Sequence, residues 1–335
     1  MRKSLFGKFE GKDVYLYTLA NDVASLKIMT KGATVVSFKP YGAEIVGGFD
    51  SFDGYLADTS NQGSVIGRVA NRIENATFSM DGAIYMLPEN DNGNCLHGGR
   101  GFNHRMWDVV SVTDNEITLS YYSPDGEEGF PAGLTVKVTY TLIEATLVIR
   151  YTAVPDGKTP VALTNHSYFN LNGFGDTVLN HTAVIYADRY TEVDEWLIPT
   201  GKRPSVAGTA FDFNTPHPIG ERFSVGFDGY DHNYILSPKT FKTFCGKSVG
   251  LAAEIEGERL KLSVYTDQPG MQFYTSNFLE KSASEHTFHG GIDPIKHGGL
   301  CLEAGTEPNC INHGIGFYDA GEVYTQTTVY QVEEK

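Results

Sequence analysis

Stretches of alternating apolar and polar side chains, each closed by a turn-forming residue, recur along this chain and constrain it to β structure. Leu134, Val136, Val138, Tyr140 and Leu142 alternate with polar or small residues, the period-two pattern of a strand with one buried face. A second strand follows at Leu147 to Val154, after a turn near Glu144-Ala145. Ala76 to Met80 and Ala83 to Leu87 flank Asp81-Gly82, and Asp-Gly supplies the positive-φ positions of a tight hairpin turn. Trp107 to Val112 and Ile117 to Tyr122 flank Thr113-Asp114-Asn115-Glu116 as another hairpin, and Leu260 to Tyr265 and Val323 to Val332 continue the pattern. The 37 glycines and 14 prolines punctuate these runs, and 20 Phe, 19 Tyr and 2 Trp favour strands. Helical periodicity is confined to short turns near Ser51 to Leu56 and Ile219 to Phe223. The expectation is an all-β chain with few short helices, a large sandwich or barrel. No linker, composition shift, low-complexity tract or repeat divides it, so residues 1–335 are read as a single domain.

Charge narrows the partners. The formal net charge is −15, which disfavours nucleic acid and anionic membrane, since both need clustered Lys and Arg. No run of about 18 apolar residues is present to span a bilayer, and the basic N-terminus lacks the apolar core of a signal peptide. Four cysteines, Cys95, Cys245, Cys301 and Cys310, with no Cys-x-x-Cys pair, fit reduced thiols in a cytoplasmic protein better than a disulfide framework or a zinc site. A neutral or cationic small molecule is the expected ligand.

Ten histidines are present, and three stand in unusual settings. His97 lies in Asn94-Cys95-Leu96-His97-Gly98-Gly99-Arg100-Gly101-Phe102, where glycines allow a sharp turn or close approach to a ligand. His166 lies in Leu163-Thr164-Asn165-His166-Ser167-Tyr168-Phe169-Asn170, and His232 follows Asp231 in a turn-rich segment. Each alone reads as structural. His286-x-x-His289 has no third ligand at a diagnostic spacing. Gly98-Gly99-Arg100-Gly101 lacks the Lys and the following helix of a phosphate loop, and no Gly-x-Ser-x-Gly elbow exists. No metal or cofactor is expected.

Read in order, the segments become specific. Gly67-Arg68-Val69-Ala70-Asn71-Arg72-Ile73 precedes the His97 loop. Asn165-His166-Ser167-Tyr168-Phe169-Asn170-Leu171 and Asp231-His232-Asn233-Tyr234 follow, then Gln268-Pro269-Gly270-x-Gln272-x-Tyr274 and Gly299-Leu300-Cys301-Leu302-Glu303. This order resembles the aldose 1-epimerases, or galactose mutarotases, from about Gly7 to Val332. The resemblance implies a large antiparallel β-supersandwich with an open cleft on one sheet. It implies Glu303 as general base, His166 as general acid and His97 assisting at the ring oxygen. Arg72, Asp231, Asn71 and Gln268 would hold sugar hydroxyls.

The implied reaction interconverts the α and β anomers of a free hexose, galactose or glucose. O1–H loses a proton, O5 gains one, the ring opens to an aldehyde, C1–C2 rotates, and closure reverses the transfers. Two opposed proton-transfer groups suffice and no cofactor is needed. A Glu is ionised at neutral pH when unperturbed, and a His has both forms accessible; Asp231 is the candidate to hold an imidazole charged. One of the two Trp residues or a Tyr is expected to form the aromatic floor. One departure is notable: the family usually follows the Glu with Thr-Gln, whereas this chain has Ala304-Gly305, which bears on sugar preference. Two rival readings are a hexose 6-phosphate 1-epimerase, which needs a cationic pocket, and a carbohydrate-binding or sensing module without chemistry.

Overall fold

The alternating segments become strands in the computed structural model, which describes residues 1–279 and 286–335. Strands account for 48% of the structure and helices for 8%, so the chain is all-β as its periodicity predicts. Leu134–Ile143 and Thr146–Pro155 pair in antiparallel register from Leu134↔Pro155 to Ile143↔Thr146. Thr77–Met80 and Ala83–Met86 form the expected hairpin, with Asp81 at φ 51 and Gly82 at φ 81 in its turn. The predicted helical turns are an α-helix at Phe52–Ala57 and a 3₁₀ helix at Ile219–Arg222.

Three antiparallel sheets dominate. Residues 2–40 form a four-stranded meander. A ten-stranded sheet runs from Asp108–Val112 through Glu116–Ser123, Leu134–Ile143 and Thr146–Pro155 to the C-terminal strand Tyr324–Glu334, then on through Leu260–Thr266 and Lys247–Glu256 to its other edge. A five-stranded sheet has the order Tyr168–Phe169, Leu300–Gly305, Gly270–Tyr274, Asp231–Leu236, Ala187–Tyr190. Among the described residues no helix is long and apolar enough to cross a membrane.

Period two makes the five-stranded sheet two-sided. Met271, Phe273, Leu300 and Leu302 are buried in one core cluster with Val136, Val138, Tyr140 and Tyr330 of the large sheet. Burying each such side chain contributes about 1.5–3 kcal/mol, which fixes the register, because a one-residue slip would turn these positions to water. Tyr330 Oη also donates to the Leu302 carbonyl at 2.9 Å, tying the two layers together beside Glu303. The opposite face is then set by the ladder. Residues paired directly across antiparallel strands share a face. Tyr168, Cys301, Tyr274 and Asp231 are successive partners in one row, and Glu303, Gln272 and Asn233 make the next.

Candidate active site

From those rows Tyr168, Tyr274, Asp231 and Glu303 line a cavity of about 230 Å³, together with Asn71, Arg72, His97 and His166. Six of the seven residues singled out from the sequence thus meet in one place, although their positions span more than two hundred residues. Glu303 and His166 are each 6% exposed, and His166 Nε2 stands 3.7 Å from Glu303 Oε1. The rings of His97 and His166 meet edge to face with centroids 5.3 Å apart.

The wall opposite the sheet comes from two short paired segments, Arg72–Ile73 and Cys95–Leu96. The His97 amide donates to the Asn71 carbonyl at 3.1 Å, and the Asn71 amide donates to His97 Nδ1 at 3.2 Å. A backbone N–H can only donate, so Nδ1 of His97 is bare and its proton sits on Nε2. Gly101 lies so close to the 67–68 backbone that a Cβ there would meet the Gly67 carbonyl oxygen at 2.0 Å, which explains the glycines after His97. Arg72 Nε donates to Asp91 Oδ2 at 2.7 Å, and its Nη1 stands 3.9 Å from Asp231 Oδ2.

The structure corrects two expectations and chooses between the alternatives of another. Gln268 lies outside the cavity, in the turn before Gly270–Tyr274, where its amide donates to Asp267 Oδ1 at 2.9 Å. The residue of that segment that touches the site is Gln272, which braces a lining residue from behind: its Nε2 donates to Asp231 Oδ1 at 2.7 Å, and its Oε1 is buried without a hydrogen-bond partner. Its signal was present: Gln272 is a polar residue between two core positions, Met271 and Phe273. Neither Trp forms the aromatic wall. Trp107 is buried against Phe102 and Tyr121, and Trp196 is half exposed elsewhere. Tyr168 and Tyr274 line the cavity instead, with Phe49, Phe278 and Phe288.

The second correction is electrostatic. Glu303 was expected ionised, but burial first, and then the negative Asp231, push its pKa well above the usual carboxylate range, with Arg72 pulling the other way. Burial pushes His166 down to about 4, and burial with His166 and Arg72 nearby pushes His97 well below its ordinary value. Both imidazoles are neutral at pH 7. Asp231 does not charge them; its own carboxyl is raised by burial, which Arg72 and the Gln272 amide oppose.

The substitution after Glu303 divides between the faces. Ala304 is buried at 1% exposure, while Gly305 borders a small recess beside Glu303 with Thr164, Gln272 and Thr306. The Ser167 hydroxyl donates to Asn165 Oδ1 at 2.6 Å, and the Asn165 amide donates to the Gly63 carbonyl, so this segment is braced from within.

Among the described residues, His166, Cys301 and Glu303 bring donor atoms within 4.8 Å of one another. Different nitrogens of His166 face the two partners: Nδ1 stands 3.6 Å from Cys301 Sγ, and Nε2 faces Glu303. One metal ion takes one imidazole nitrogen, and the thiol is not part of the cavity lining, so the trio does not form a single coordination sphere open to the cleft. His289 is engaged by Asp50 and the Val36 carbonyl.

Known proteins share this architecture. The family model described as aldose 1-epimerase matches residues 15–331. Galactose mutarotase from Rattus norvegicus is 40% identical over 98% of this chain and 97% of its own length. The Homo sapiens galactose mutarotase is 41% identical over 92% of this chain and 91% of its own, and the aldose 1-epimerase of Escherichia coli K12 is 36% identical over 96% of both. The crystal structure of galactose 1-epimerase from Lactobacillus acidophilus superimposes with a TM-score of 0.87 at 26% identity, covering 99% of this chain and 98% of that one. With a family model matched over residues 15–331 and relatives about 40% identical over nearly the whole length, this chain belongs to the aldose 1-epimerase family.

Proposed function

We propose that this protein interconverts the α and β anomers of free hexoses, galactose or glucose, by acid–base ring opening and closure. One observation carries the reading: a carboxylate and two imidazoles, each from a distant segment, converge in a single cavity, with Glu303 Oε1 3.7 Å from His166 Nε2. Ionised Glu303 takes the proton from O1–H as the C1–O5 bond breaks. Neutral His166 gives its Nε2 proton to O5 as the alkoxide develops and is left as imidazolate until ring closure returns the proton, and His97 donates a hydrogen bond there through its Nε2–H. The aldehyde turns about C1–C2, and the same groups return the protons as O5 attacks the other face. A raised pKa suits Glu303 to this task, because a base that must also give its proton back works best with a pKa near the working pH. Neutral imidazole is an adequate donor to an oxygen developing alkoxide character. Arg72, Asn71 and Asp231 supply hydrogen-bonding groups for hydroxyls, Gln272 braces Asp231, and Tyr168 and Tyr274 supply apolar walls.

The cavity suits a neutral sugar better than a phosphorylated one. Arg72 is the one Lys or Arg among its described lining residues, and Asp91 and Asp231 already engage it. A purely binding cleft has no use for the acid–base set. Polarimetry of freshly dissolved α-D-galactose and α-D-glucose tests the proposal. Faster approach to the equilibrium rotation with protein supports it; no acceleration with either sugar overturns it. Acceleration restricted to the 6-phosphate would assign the rival reaction, and sugar binding without acceleration a sensing module.

A further inference from the structure

His166 and His97 face the same cavity as neutral rings, and a neutral imidazole donates from only one nitrogen. For His97 the choice is fixed by the Asn71 amide against Nδ1. For His166 the nitrogen facing Glu303 and the cavity is Nε2, so donation to a sugar oxygen requires the proton on Nε2 and a bare Nδ1. Behind the ring, Cys301 Sγ lies 3.6 Å from Nδ1, within the range of a sulfur hydrogen bond. Cys301 is fully buried, on the same strand face as Glu303 two residues on. Burial pushes its thiol well above the ordinary value, so it keeps its proton and can donate it. His166's own backbone carbonyl also neighbours the ring, and it can only accept. That carbonyl already accepts the Gly63 amide at 2.9 Å.

We propose that Cys301 is a positioning residue: its S–H donates to His166 Nδ1 and thereby holds the ring in the Nε2–H form that can give a proton to the ring oxygen. The thiol does for His166 what the Asn71 amide does for His97, so both imidazoles present N–H to the sugar while Glu303 alone accepts. The inference rests on the proposed acid role of His166, but the state of the ring can be read without any sugar.

Long-range ¹H–¹⁵N correlation spectra of the ¹⁵N-labelled protein at pH 7, with His166 identified by its loss in His166→Asn, report which nitrogen is protonated. The expected wild-type result is a pyridine-like Nδ1 and a pyrrole-like Nε2. In Cys301→Ala the Nε2–H form loses its majority, and kcat falls about tenfold, a fraction of the 10²–10⁴ carried by a whole general acid, at unchanged KM. Cys301→Ser keeps a donor and restores the Nε2–H form with most of the rate. A pyrrole-like Nδ1 in the wild type overturns the proposal without any variant. So does Cys301→Ala with wild-type tautomer and kcat, or Cys301→Ser falling as far as Cys301→Ala. Full activity in Glu303→Gln would instead sink the proposed function while leaving the tautomer result standing.

Discussion

Glu303 sets stability against chemistry within one side chain. Its folded pKa is raised, so its contribution to stability is greatest below the unfolded carboxylate pKa, near ~4.3, and is lost as pH rises through the folded value. Glu303→Gln is therefore expected to lower turnover by about 10²–10⁴ and to raise Tm at pH 7 by a few degrees, on the scale of about 2–4 °C per kcal/mol. Calorimetry at pH 7 and pH 3 checks this: the gain in Tm should vanish at pH 3, where the carboxyl is neutral in the folded and the unfolded chain alike. The base must be ionised to act, so the acid limb of kcat/KM should lie above the ordinary carboxylate range, with the rate falling as pH drops through it. Asp231 is the second cause of the upward shift, after burial. In Asp231→Asn the midpoint of that limb should move to lower pH, whatever the absolute rate; an unmoved midpoint would show that burial alone sets it. Residue types and order were legible for Glu303, His166, His97, Arg72, Asn71 and Asp231, because the motifs name them. Their charge states were not, since desolvation depends on what covers a group and the sequence does not contain that.

Elements were legible in proportion to their length. Leu134–Ile143 and Thr146–Pro155 carry ten residues each, enough for period two to show itself. The cleft is held by two-residue ladders such as Arg72–Ile73 with Cys95–Leu96 and Thr164–Asn165 with Val65–Ile66, too short for any periodicity. Gln268 was chosen over Gln272 for a related reason: the motif gives both glutamines, and only strand register tells which one touches the site. Glycine supplied a better clue, because the run after His97 marks a backbone approach that a side chain would block. Gly101→Ala places a methyl against the Gly67 carbonyl oxygen, which a Cβ would meet at 2.0 Å. Overpacking of this kind costs about 1–3 kcal/mol, and the 97–101 loop is the element free to yield. The expected result is a Tm loss together with a fall in kcat as His97 leaves the cavity, measured by scanning calorimetry and polarimetry. A Tm loss with unchanged kcat would mean that the loop holds and Gly67 moves instead.

At the scale of the whole molecule, the C-terminal strand decides how the chain is organised. Tyr324–Glu334 pairs with Thr146–Ala153 on one side and with Leu260–Thr266 on the other, so it lies inside the large sheet and not at its edge. The cleft strands Gly270–Tyr274 and Leu300–Gly305 lie in sequence between Leu260–Thr266 and the C-terminal strand, and their inward faces share one apolar cluster with residues from Tyr17 to Val332. Any cut of the chain between Pro155 and Tyr324 would part the C-terminal strand from Thr146–Pro155 and leave a gap in the middle of that sheet. We therefore propose that residues 1–335 form one cooperative domain, as the unbroken composition suggested. The prediction is a single unfolding transition, with equal calorimetric and van 't Hoff enthalpies. In a Trp196→Phe protein the fluorescence reports Trp107 alone, which is buried in the shared cluster, and its loss should coincide with loss of strand circular dichroism and of mutarotation. A chain ending at Val323 should show no cooperative transition, because its absent strand would leave two half-sheets with open edges and an uncovered layer behind Leu302. Two resolved transitions in the full chain, or a folded and active truncation, would show that the cleft sheet is stable without the strand that closes the sheet beneath it.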